Sequence, residues 1–399
     1  MFSHLKPLPT DPILGLMAAY NSDSNPNKID LGVGVYKDEY GDTPVLKCVK
    51  QAEALRLNNE TTKSYIGLAG DLNFTNKMEH LLLGEHNALL ANRVRTAQTP
   101  GGTGALRVAA EFVKRCNPDA TIWVSAPTWA NHMSLFEAAG LTVKEYPYYD
   151  YETRGLQFDN MKKVIGEQVK QGDVVLFHAC CHNPSGMDLT LAQWQEMAEL
   201  AKEKSFTPMI DIAYLGFGEG IDEDAAGLRL MVDAVPESII CSSCSKNFGL
   251  YRERIGACSI VAEDAQKADV ANSVLLSVVR SIYSMPPAHG ATIVNTILSS
   301  NELTQLWHSE LAEMRNRINE LRSLIVDKLS AKGIDQSFEF IKHQHGMFSF
   351  FGIDKPQIEQ LRTEYSIYMV GSSRMNVAGI SLSNIDYFAD SVASVLANK

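Results

Sequence analysis

The sequence has few of the features that mark secreted, membrane-spanning or nucleic-acid-binding proteins. Seven cysteines in 399 residues are too sparse for a disulfide scaffold. No apolar run approaches the ~18 residues of a membrane span. The N-terminal MFSHLKPLPTDP has prolines where a signal peptide has its apolar segment. A net charge of −11 gives no basic excess for nucleic acid or anionic membranes. We therefore expect a cytoplasmic protein with neither partner, which holds any anionic ligand by a few placed arginines.

The composition and the order of apolar patterns predict an α/β fold. The chain is 45% hydrophobic and 21% charged, which is ordinary for a globular protein with a large core and about two domains. Between about residues 95 and 300, β-branched runs alternate with helical patterns. The candidate strands are 121–126, 173–179, 207–213, 238–243 and 256–262, and the candidate helices include 105–116 and 190–205. This alternation predicts a mostly parallel sheet covered by helices on both faces, with ligand groups in loops beyond the carboxyl ends of the strands.

The pattern changes after Asn301. Apolar residues then recur at steps of three and four, which predicts one long amphipathic helix ending before Gly333. Candidate strands at 346–353 and 366–370 follow it. We therefore expect a smaller α+β domain beside the large one.

Two cysteine-rich stretches suggest metal or redox chemistry. HACCH (178–182) offers four close ligands, but side chains alternate faces along a strand, so four successive residues cannot converge on one tetrahedral ion. CSSC (241–244) lies at a strand end, whereas redox C-x-x-C pairs open a helix. We expect ordinary half-buried thiols and no metal. A non-enzymatic thiol or metal module remains the alternative from another class, which metal analysis would detect.

The stretch PGGTGALR (100–107) resembles part of a dinucleotide fingerprint. Gly102-Thr103-Gly104 lacks the third glycine, because Arg107 stands in its place. A glycine turn that opens a helix can instead hold a single phosphate on the unpaired N–H groups of the helix.

Polar and aromatic side chains cluster at the predicted strand ends. Together they offer a phosphate cradle, an aromatic slab, a carboxylate, a phenol and an amine. This set suits pyridoxal phosphate, whose phosphate, ring nitrogen, ring oxygen and aldehyde need such groups. The residues are Gly102, Thr103, Trp129, Asn183, Asp211, Tyr214, Ser243, Lys246 and Arg254.

The order of motifs resembles the aspartate and aromatic aminotransferase family, class I pyridoxal-phosphate enzymes of fold type I. The resemblance covers essentially the whole chain. The motifs, in order, are SYIG, TPGGTGALR, PTWANH, HNPSG, DIAY, SCSKNFGLYRERIGA, RSIYSMPPAHG and SSRMNVAG.

The resemblance implies three catalytic residues. Lys246 would form a Schiff base with the cofactor and, once released, would shuttle the substrate's Cα proton. Asp211 would pair with the pyridinium nitrogen. Tyr214 and Asn183 would hydrogen-bond the ring oxygen. His132 would steady Asp211 or is simply a core histidine.

The remaining cofactor contacts are implied in the same way. Trp129 would stack on the ring. Tyr65 would reach the phosphate from a neighbouring subunit. The rest of the phosphate site would be Gly102, Thr103, Ser243 and Arg254.

The resemblance also implies two carboxylate clamps and a homodimer with shared active sites. Arg374 would bind the substrate α-carboxylate, helped by Asn183 and by the backbone at Gly34. Arg280 would reach a side-chain carboxylate across the dimer interface. Trp129 would also contact substrate.

These residues imply transfer of the amino group of aspartate, and of tyrosine or phenylalanine, to 2-oxoglutarate by a ping-pong cycle in amino acid metabolism. Ser64 and Met285 depart from the aspartate-specific branch of the family and leave the preferred donor open. Further departures at Ser185 and Cys244 remove no chemical group that the mechanism needs. An aromatic-amino-acid aminotransferase, or a decarboxylase or lyase using the same cofactor, remains an alternative.

The resemblance implies a domain organisation as well. Residues 1–11 would form an arm on the partner subunit. Residues 12–43 and 313–399 would form the small domain, and residues 44–312 the large cofactor-binding domain. Closure of the small domain would exclude water.

Overall fold

The computed structural model describes residues 2–7, 12–84, 91–334 and 336–397. The chain divides into two compact units. The larger contains residues 44–316 and 344–346, and the smaller contains residues 1–43, 317–343 and 347–399. Of the expected N-terminal arm, residues 1 and 8–11 lie outside the described residues, and Phe2–His4 form a short 3₁₀-helix.

The secondary structure alternates strands with helices through the larger unit. The α-helices are α1 (Pro12–Ser22), α2 (Lys47–Asn59), α3 (Leu72–Leu83), α4 (Gly101–Cys116), α5 (Asn131–Ala138), α6 (Phe158–Gln168), α7 (Leu191–Lys204), α8 (Ile221–Ala234), α9 (Ala265–Ile282), α10 (Ala288–Ser299), α11 (Asn301–Ser330), α12 (Lys355–Tyr365) and α13 (Ile385–Ala397). The strands are β1 (Ile29–Asp30), β2 (Val94–Pro100), β3 (Thr121–Ala126), β4 (Thr142–Pro147), β5 (Tyr149–Asp150), β6 (Gly155–Leu156), β7 (Val174–His178), β8 (Thr207–Ile212), β9 (Ser238–Ser243), β10 (Ile255–Val261), β11 (Phe348–Phe350), β12 (Ile367–Tyr368) and β13 (Arg374–Asn376).

A seven-stranded sheet organises the larger unit. Its strand order is β2-β10-β9-β8-β7-β3-β4, and β10 alone runs opposite to the other six strands. On one face, α4 and α9 pack their buried residues against the strands. On the other, Phe177 of β7 meets Trp194 of α7 with ring centroids 5.6 Å apart. The predicted α/β fold, with a mostly parallel sheet covered by helices, is confirmed.

The smaller unit is α+β. Its sheets are a parallel pair, β1 with β12, and an antiparallel pair, β11 with β13. These strands are shorter than the predicted 346–353 and 366–370, because each pairs with a partner of only two or three residues. The long helix predicted after Asn301 is confirmed as α11, and the boundary between the units falls within it.

Strands β2 and β4 had no clear signal in the sequence. Both lie at the edges of the large sheet, where polar residues are common. Strand β2 (VRTAQTP) is nonetheless largely buried, because its polar side chains are paired: the Thr96 hydroxyl lies 2.8 Å from that of Ser259.

Within the described residues, no helix is both long and apolar enough to cross a membrane.

Candidate active site

The candidate site lies at one edge of the large sheet. Strands β3, β7, β8 and β9 run parallel, so their carboxyl ends share that edge. The residues that closely follow these ends are Trp129, Asn183, Tyr214 and Lys246. Parallel pairing therefore brings together side chains that are far apart in sequence.

Arg254 reaches the same edge for a different reason. It directly precedes β10, which runs antiparallel, so the amino end of β10 lies beside the carboxyl end of β2, with Ile255 opposite Pro100. A Cβ on Gly101 would lie 2.5 Å from an Arg254 guanidinium nitrogen, so only glycine allows this approach. Arg254 itself remains exposed and donates to the Tyr251 carbonyl at 3.1 Å.

The N-terminus of α4 lies next to Arg254 and forms an anion-binding corner. Pro100 occupies the cap position and supplies no side-chain hydrogen bond, so the first-turn N–H groups near Gly102 and Thr103 lack a side-chain cap. Ser243 adjoins this turn, because a Cβ on Gly102 would lie 3.1 Å from the Ser243 Cβ. Helix N–H groups, a hydroxyl and a guanidinium together favour a phosphate.

Lys246 is half-buried, and its amine is easily deprotonated. Burial lowers the pKa of the Lys246 ammonium to about 8, the charge of Arg254 adds to the shift, and Asp211 opposes it. The Nζ lies 5.0 Å from the centroid of the Tyr214 ring, and Tyr214 is buried. Lys246, Tyr214 and Asp211, which the sequence places at the predicted strand ends, are therefore neighbours in the structure.

Asp211 is a buried carboxylate that stays ionised. Burial alone would raise the pKa of its carboxyl, but the hydrogen bond from the His132 ring and the positive charge of the nearby Lys246 hold it below its usual range. His132 Nε2 lies 3.2 Å from Asp211 Oδ2. His132 thus contacts Asp211 as the resemblance implied.

A hydrogen-bonded chain behind Asp211 was not anticipated. His132 Nδ1 lies 2.7 Å from the Thr128 hydroxyl, which lies 3.2 Å from His178 Nε2. Burial, with His132 nearby, lowers the pKa of His178 to about 3, so this ring is neutral. The chain is consistent when His178 donates to Thr128, Thr128 donates to His132, and His132 donates to Asp211. The one sequence signal is that His178 belongs to the HACCH stretch, for which no function was predicted.

Asn183 and Trp129 complete the group. The Asn183 side-chain oxygen is buried and has no hydrogen-bond partner, so a ligand can satisfy it. Trp129 is half-buried against the core and meets His132 edge to face, with centroids 5.3 Å apart.

Arg374 and Gly34 lie together in the smaller unit. Arg374 is buried, donates to the Gly32 carbonyl at 2.7 Å, and stacks on Phe348 with its guanidinium carbon 4.4 Å from the ring centroid. A Cβ on Gly34 would lie 3.1 Å from the same ring.

Tyr65 and Arg280 lie on the surface of the chain. Tyr65 is 91% exposed. Arg280 is exposed at the end of α9, and its guanidinium donates to the Ser284 hydroxyl.

The cysteines of the HACCH and CSSC stretches are more buried than expected. We predicted half-buried thiols, but Cys180, Cys181, Cys241 and Cys244 are all at most 6% exposed. Strands β7 and β9 are covered on both faces, and the residues that end them are covered with them.

Comparison with known proteins matches nearly the whole chain. Residues 26–392 match the family model of aminotransferase class I and II. The aspartate aminotransferase of Salmonella typhi is 51% identical over 397 residues, which is 99% of this chain and 100% of that protein. The aromatic-amino-acid aminotransferase of Pseudomonas aeruginosa is 46% identical, and the match covers 100% of this chain and 99% of that protein.

Solved structures of aminotransferases are also similar to the chain over nearly its full length. The Burkholderia pseudomallei aromatic-amino-acid aminotransferase, covalently bound to pyridoxal phosphate, has a TM-score of 0.97 and 44% identity, and 99% of each chain is covered. The cytoplasmic aspartate aminotransferase of Saccharomyces cerevisiae has a TM-score of 0.96 and 34% identity, and the match covers 100% of this chain and 99% of that one. The chain belongs to the class I and II aminotransferases.

Proposed function

We propose that this protein is a pyridoxal-phosphate-dependent transaminase that moves the amino group of aspartate, and of tyrosine or phenylalanine, to 2-oxoglutarate. Relatives named for aspartate and for aromatic amino acids match the chain over nearly its full length. The observation that carries the proposal is the Lys246 amine, with a pKa of about 8, beside the ionised Asp211 at the sheet edge.

The residues present fit pyridoxal phosphate at both ends. The corner formed by the α4 N-terminus, Ser243 and Arg254 suits a phosphate. The buried oxygen of Asn183, which has no partner, suits a polar ligand group. Asp211, held below its usual pKa, suits a cationic ring nitrogen. When bound, this cofactor supplies a sink for the electron pair released as the substrate Cα–H bond breaks.

Lys246 is the proposed proton carrier. Its Nζ takes the proton from the substrate Cα, which requires the neutral amine. Relative to an ordinary lysine pKa of ~10.4, a value of about 8 raises the neutral fraction at pH 7 about two hundredfold. The protein thus supplies a base near neutral pH without a histidine.

The other residues bind and orient. Asp211, held by His132, keeps a negative charge in a buried position. Trp129 presents a ring face, and Tyr214 and Asn183 supply polar contacts. Arg374 is proposed to bind the substrate α-carboxylate bidentately, and the stacking on Phe348 fixes the plane of its guanidinium.

Two surface residues are proposed to serve a partner's site in a homodimer. Tyr65 would contact the partner's phosphate, and Arg280 a side-chain carboxylate. Their exposure in one chain supports this role. We further propose a cytoplasmic location, residues 1–11 as an arm on the partner, and residues 12–43 with 313–399 as a small domain that closes over substrate.

Steady-state kinetics tests the proposal. Purified protein supplied with pyridoxal phosphate is assayed with aspartate, tyrosine and phenylalanine against 2-oxoglutarate. Glutamate should form with each donor, and oxaloacetate with aspartate. Formation of alanine and carbon dioxide from aspartate would instead favour a decarboxylase. A protein with no visible cofactor absorption and no response to added cofactor would overturn the proposal.

Arg280 separates the substrate classes. Arg280→Ala should reduce kcat/KM for aspartate at least about tenfold, because a charged contact of 1.4 kcal/mol or more is lost. It should leave kcat/KM for phenylalanine much less affected. Equal losses for both donors would reject a side-chain carboxylate role.

A further inference from the structure

The HACCH stretch has a geometry that the proposed reaction does not use. Strand β7 ends at His178, and Cys181 has a left-handed backbone with φ of 52°. Side chains therefore stop alternating after His178. Four successive residues cannot converge on one ion where side chains alternate along a strand, but that alternation does not extend to Cys180 and Cys181.

The two sulfurs converge with a carboxylate from another element. Cys180 Sγ, Cys181 Sγ and one Asp224 carboxylate oxygen lie within 4.8 Å of one another, and all three residues are buried. The histidines of the motif face other partners: His178 contacts Thr128, and His182 contacts Ser125. The donor set is thus two sulfurs and one oxygen, not the four residues of the motif.

Asp224 is held firmly in place in the first turn of α8. Its Oδ2 accepts from the N–H groups of Gly216 at 2.8 Å and Gly218 at 2.9 Å, and its Oδ1 accepts from that of Glu219 at 2.9 Å. A carboxylate oxygen has two lone pairs, so Oδ1 keeps capacity for a further ligand.

The cysteine loop is fixed by a second carboxylate. Asp188 accepts from the backbone N–H of Cys181 at 2.7 Å and of His182 at 2.8 Å. The left-handed turn that brings the sulfurs together is therefore anchored by hydrogen bonds, and the site is largely pre-formed.

An acidic cavity leads to this cluster. Its volume is about 500 Å³, and its wall includes Cys180, Asp224 and the exposed Asp222 and Glu223. Further titratable wall residues are Asp188, Glu219 and His345. Of the described residues that line it, none is lysine or arginine; Arg229 pairs with Asp222 at 2.9 Å from outside the lining. The cavity gives a cation an entry path from solvent.

The described wall of this cavity carries several carboxylates, and its one basic side chain is His345. A dication at the cluster would be attracted by the surrounding carboxylates.

We propose that Cys180, Cys181 and Asp224 form a binding site for a thiophilic divalent cation of the Zn²⁺ or Cd²⁺ class. Sulfur ligands with a carboxylate suit such ions, at about 2.3 Å from each sulfur and 2.0–2.2 Å from the oxygen. These lengths place any two donors at most about 4.6 Å apart, close to the separations of up to 4.8 Å found here. A cavity water completes the coordination, and each thiol releases its proton to solvent as its sulfur binds. This proposal departs from the sequence expectation of no metal.

Cd²⁺ titration tests the site directly. The holoenzyme is prepared in a Cys116→Ser background, because Cys116 is an exposed thiol. Ultraviolet thiolate-to-metal absorption and competition with a chromophoric chelator report binding without any measurement of turnover. We expect about one Cd²⁺ per chain, with affinity reduced at least about 100-fold in the Cys180→Ser, Cys181→Ser double variant.

The matched control is the Cys241→Ser, Cys244→Ser double variant, which removes two equally buried thiols and should bind Cd²⁺ unchanged. Cys181→Asn provides a second variant, since asparagine tolerates the left-handed backbone, and it should also lose binding while its cofactor spectrum shows an intact fold. Binding that survives the loss of Cys180 and Cys181, or that disappears in the control, would overturn the proposal. Because no step depends on catalysis, this result is independent of the assignment of the reaction.

Discussion

The pKa of the Lys246 amine is set by opposing effects at the sheet edge. Burial and Arg254 lower its pKa, while Asp211 raises it. Arg254 and Asp211 are the residues proposed to hold the phosphate and the ring nitrogen. The residues proposed to hold the two ends of the cofactor would therefore also adjust the pKa of the amine between them.

The pH at which the Lys246 amine becomes nucleophilic follows from its pKa. In the cofactor-free protein, site-resolved mass spectrometry after brief acylation should show Lys246 labelling rising with pH to a midpoint at about 8. Only the neutral amine reacts, so labelling is suppressed at lower pH. An unperturbed lysine would continue to rise towards pH ~10.4, and such a profile at Lys246 would contradict the account.

Removing each charge should move that midpoint in opposite directions. Asp211→Asn should lower the Lys246 pKa further, because a stabilising negative charge is lost, whereas Arg254→Gln should raise it. Asp222→Asn and Arg252→Gln, at exposed positions of the same charge types, are the controls and should leave the midpoint in place. An unmoved midpoint in both test variants would show that burial alone sets the pKa, and shifts in the same direction would contradict the opposing effects of the two charges.

Among the elements, the sequence predicted those with strong apolar periodicity. Strands β3 and β9 and helix α11 are found where the pattern placed them, whereas the edge strands β2 and β4 carry too many polar residues to give a signal. The strand-end residues were predictable because carboxyl ends of parallel strands share one edge.

Other parts of the site depend on backbone geometry that the residue pattern does not predict. Arg254 reaches the edge because β10 reverses direction, and the Thr128–His178 chain depends on the packing of β7 against the loop after β3. The left-handed turn at Cys181 likewise has no signal, since the residue is neither glycine nor asparagine.

Two glycines on helices should respond differently to alanine. Gly102→Ala places a Cβ 3.1 Å from the Ser243 Cβ in the proposed phosphate corner, and we expect cofactor affinity to fall about tenfold, or ~1.4 kcal/mol. Gly166→Ala, inside α6, meets only Leu200 Cδ1 at 3.7 Å and should stabilise the protein by about 0.5–1 kcal/mol with affinity unchanged. Cofactor titration and urea unfolding measure both. Unchanged affinity in Gly102→Ala would remove this turn from the phosphate site.

At the scale of the whole molecule, a single chain leaves two residues with proposed binding roles, Tyr65 and Arg280, exposed on its surface. Tyr65 is exposed, as are the apolar Leu55 and Leu57 of α2, which are 47% and 82% exposed. Exposed apolar side chains near a proposed binding residue fit a surface that a second copy covers. The proposed homodimer would use Tyr65 and Arg280 from each chain in the other's site.

Mixed dimers test this sharing. Lys246→Ala chains and Arg280→Ala chains should each be poorly active with aspartate. After denaturation and joint refolding, about half of the dimers are mixed, and each mixed dimer has one site with both native residues, so about a quarter of native activity should return. Activity equal to the average of the two parents would place Arg280 in the site of its own chain.

The central claim is that Lys246 holds the cofactor. Borohydride reduction of the cofactor-loaded protein, followed by peptide mapping, identifies the lysine that carries the reduced phosphopyridoxyl group. We expect that group on Lys246 in nearly every chain. Lys246→Ala should carry no stable label, although it still binds the cofactor noncovalently. Label on a different lysine, or equal labelling of the variant, would contradict it.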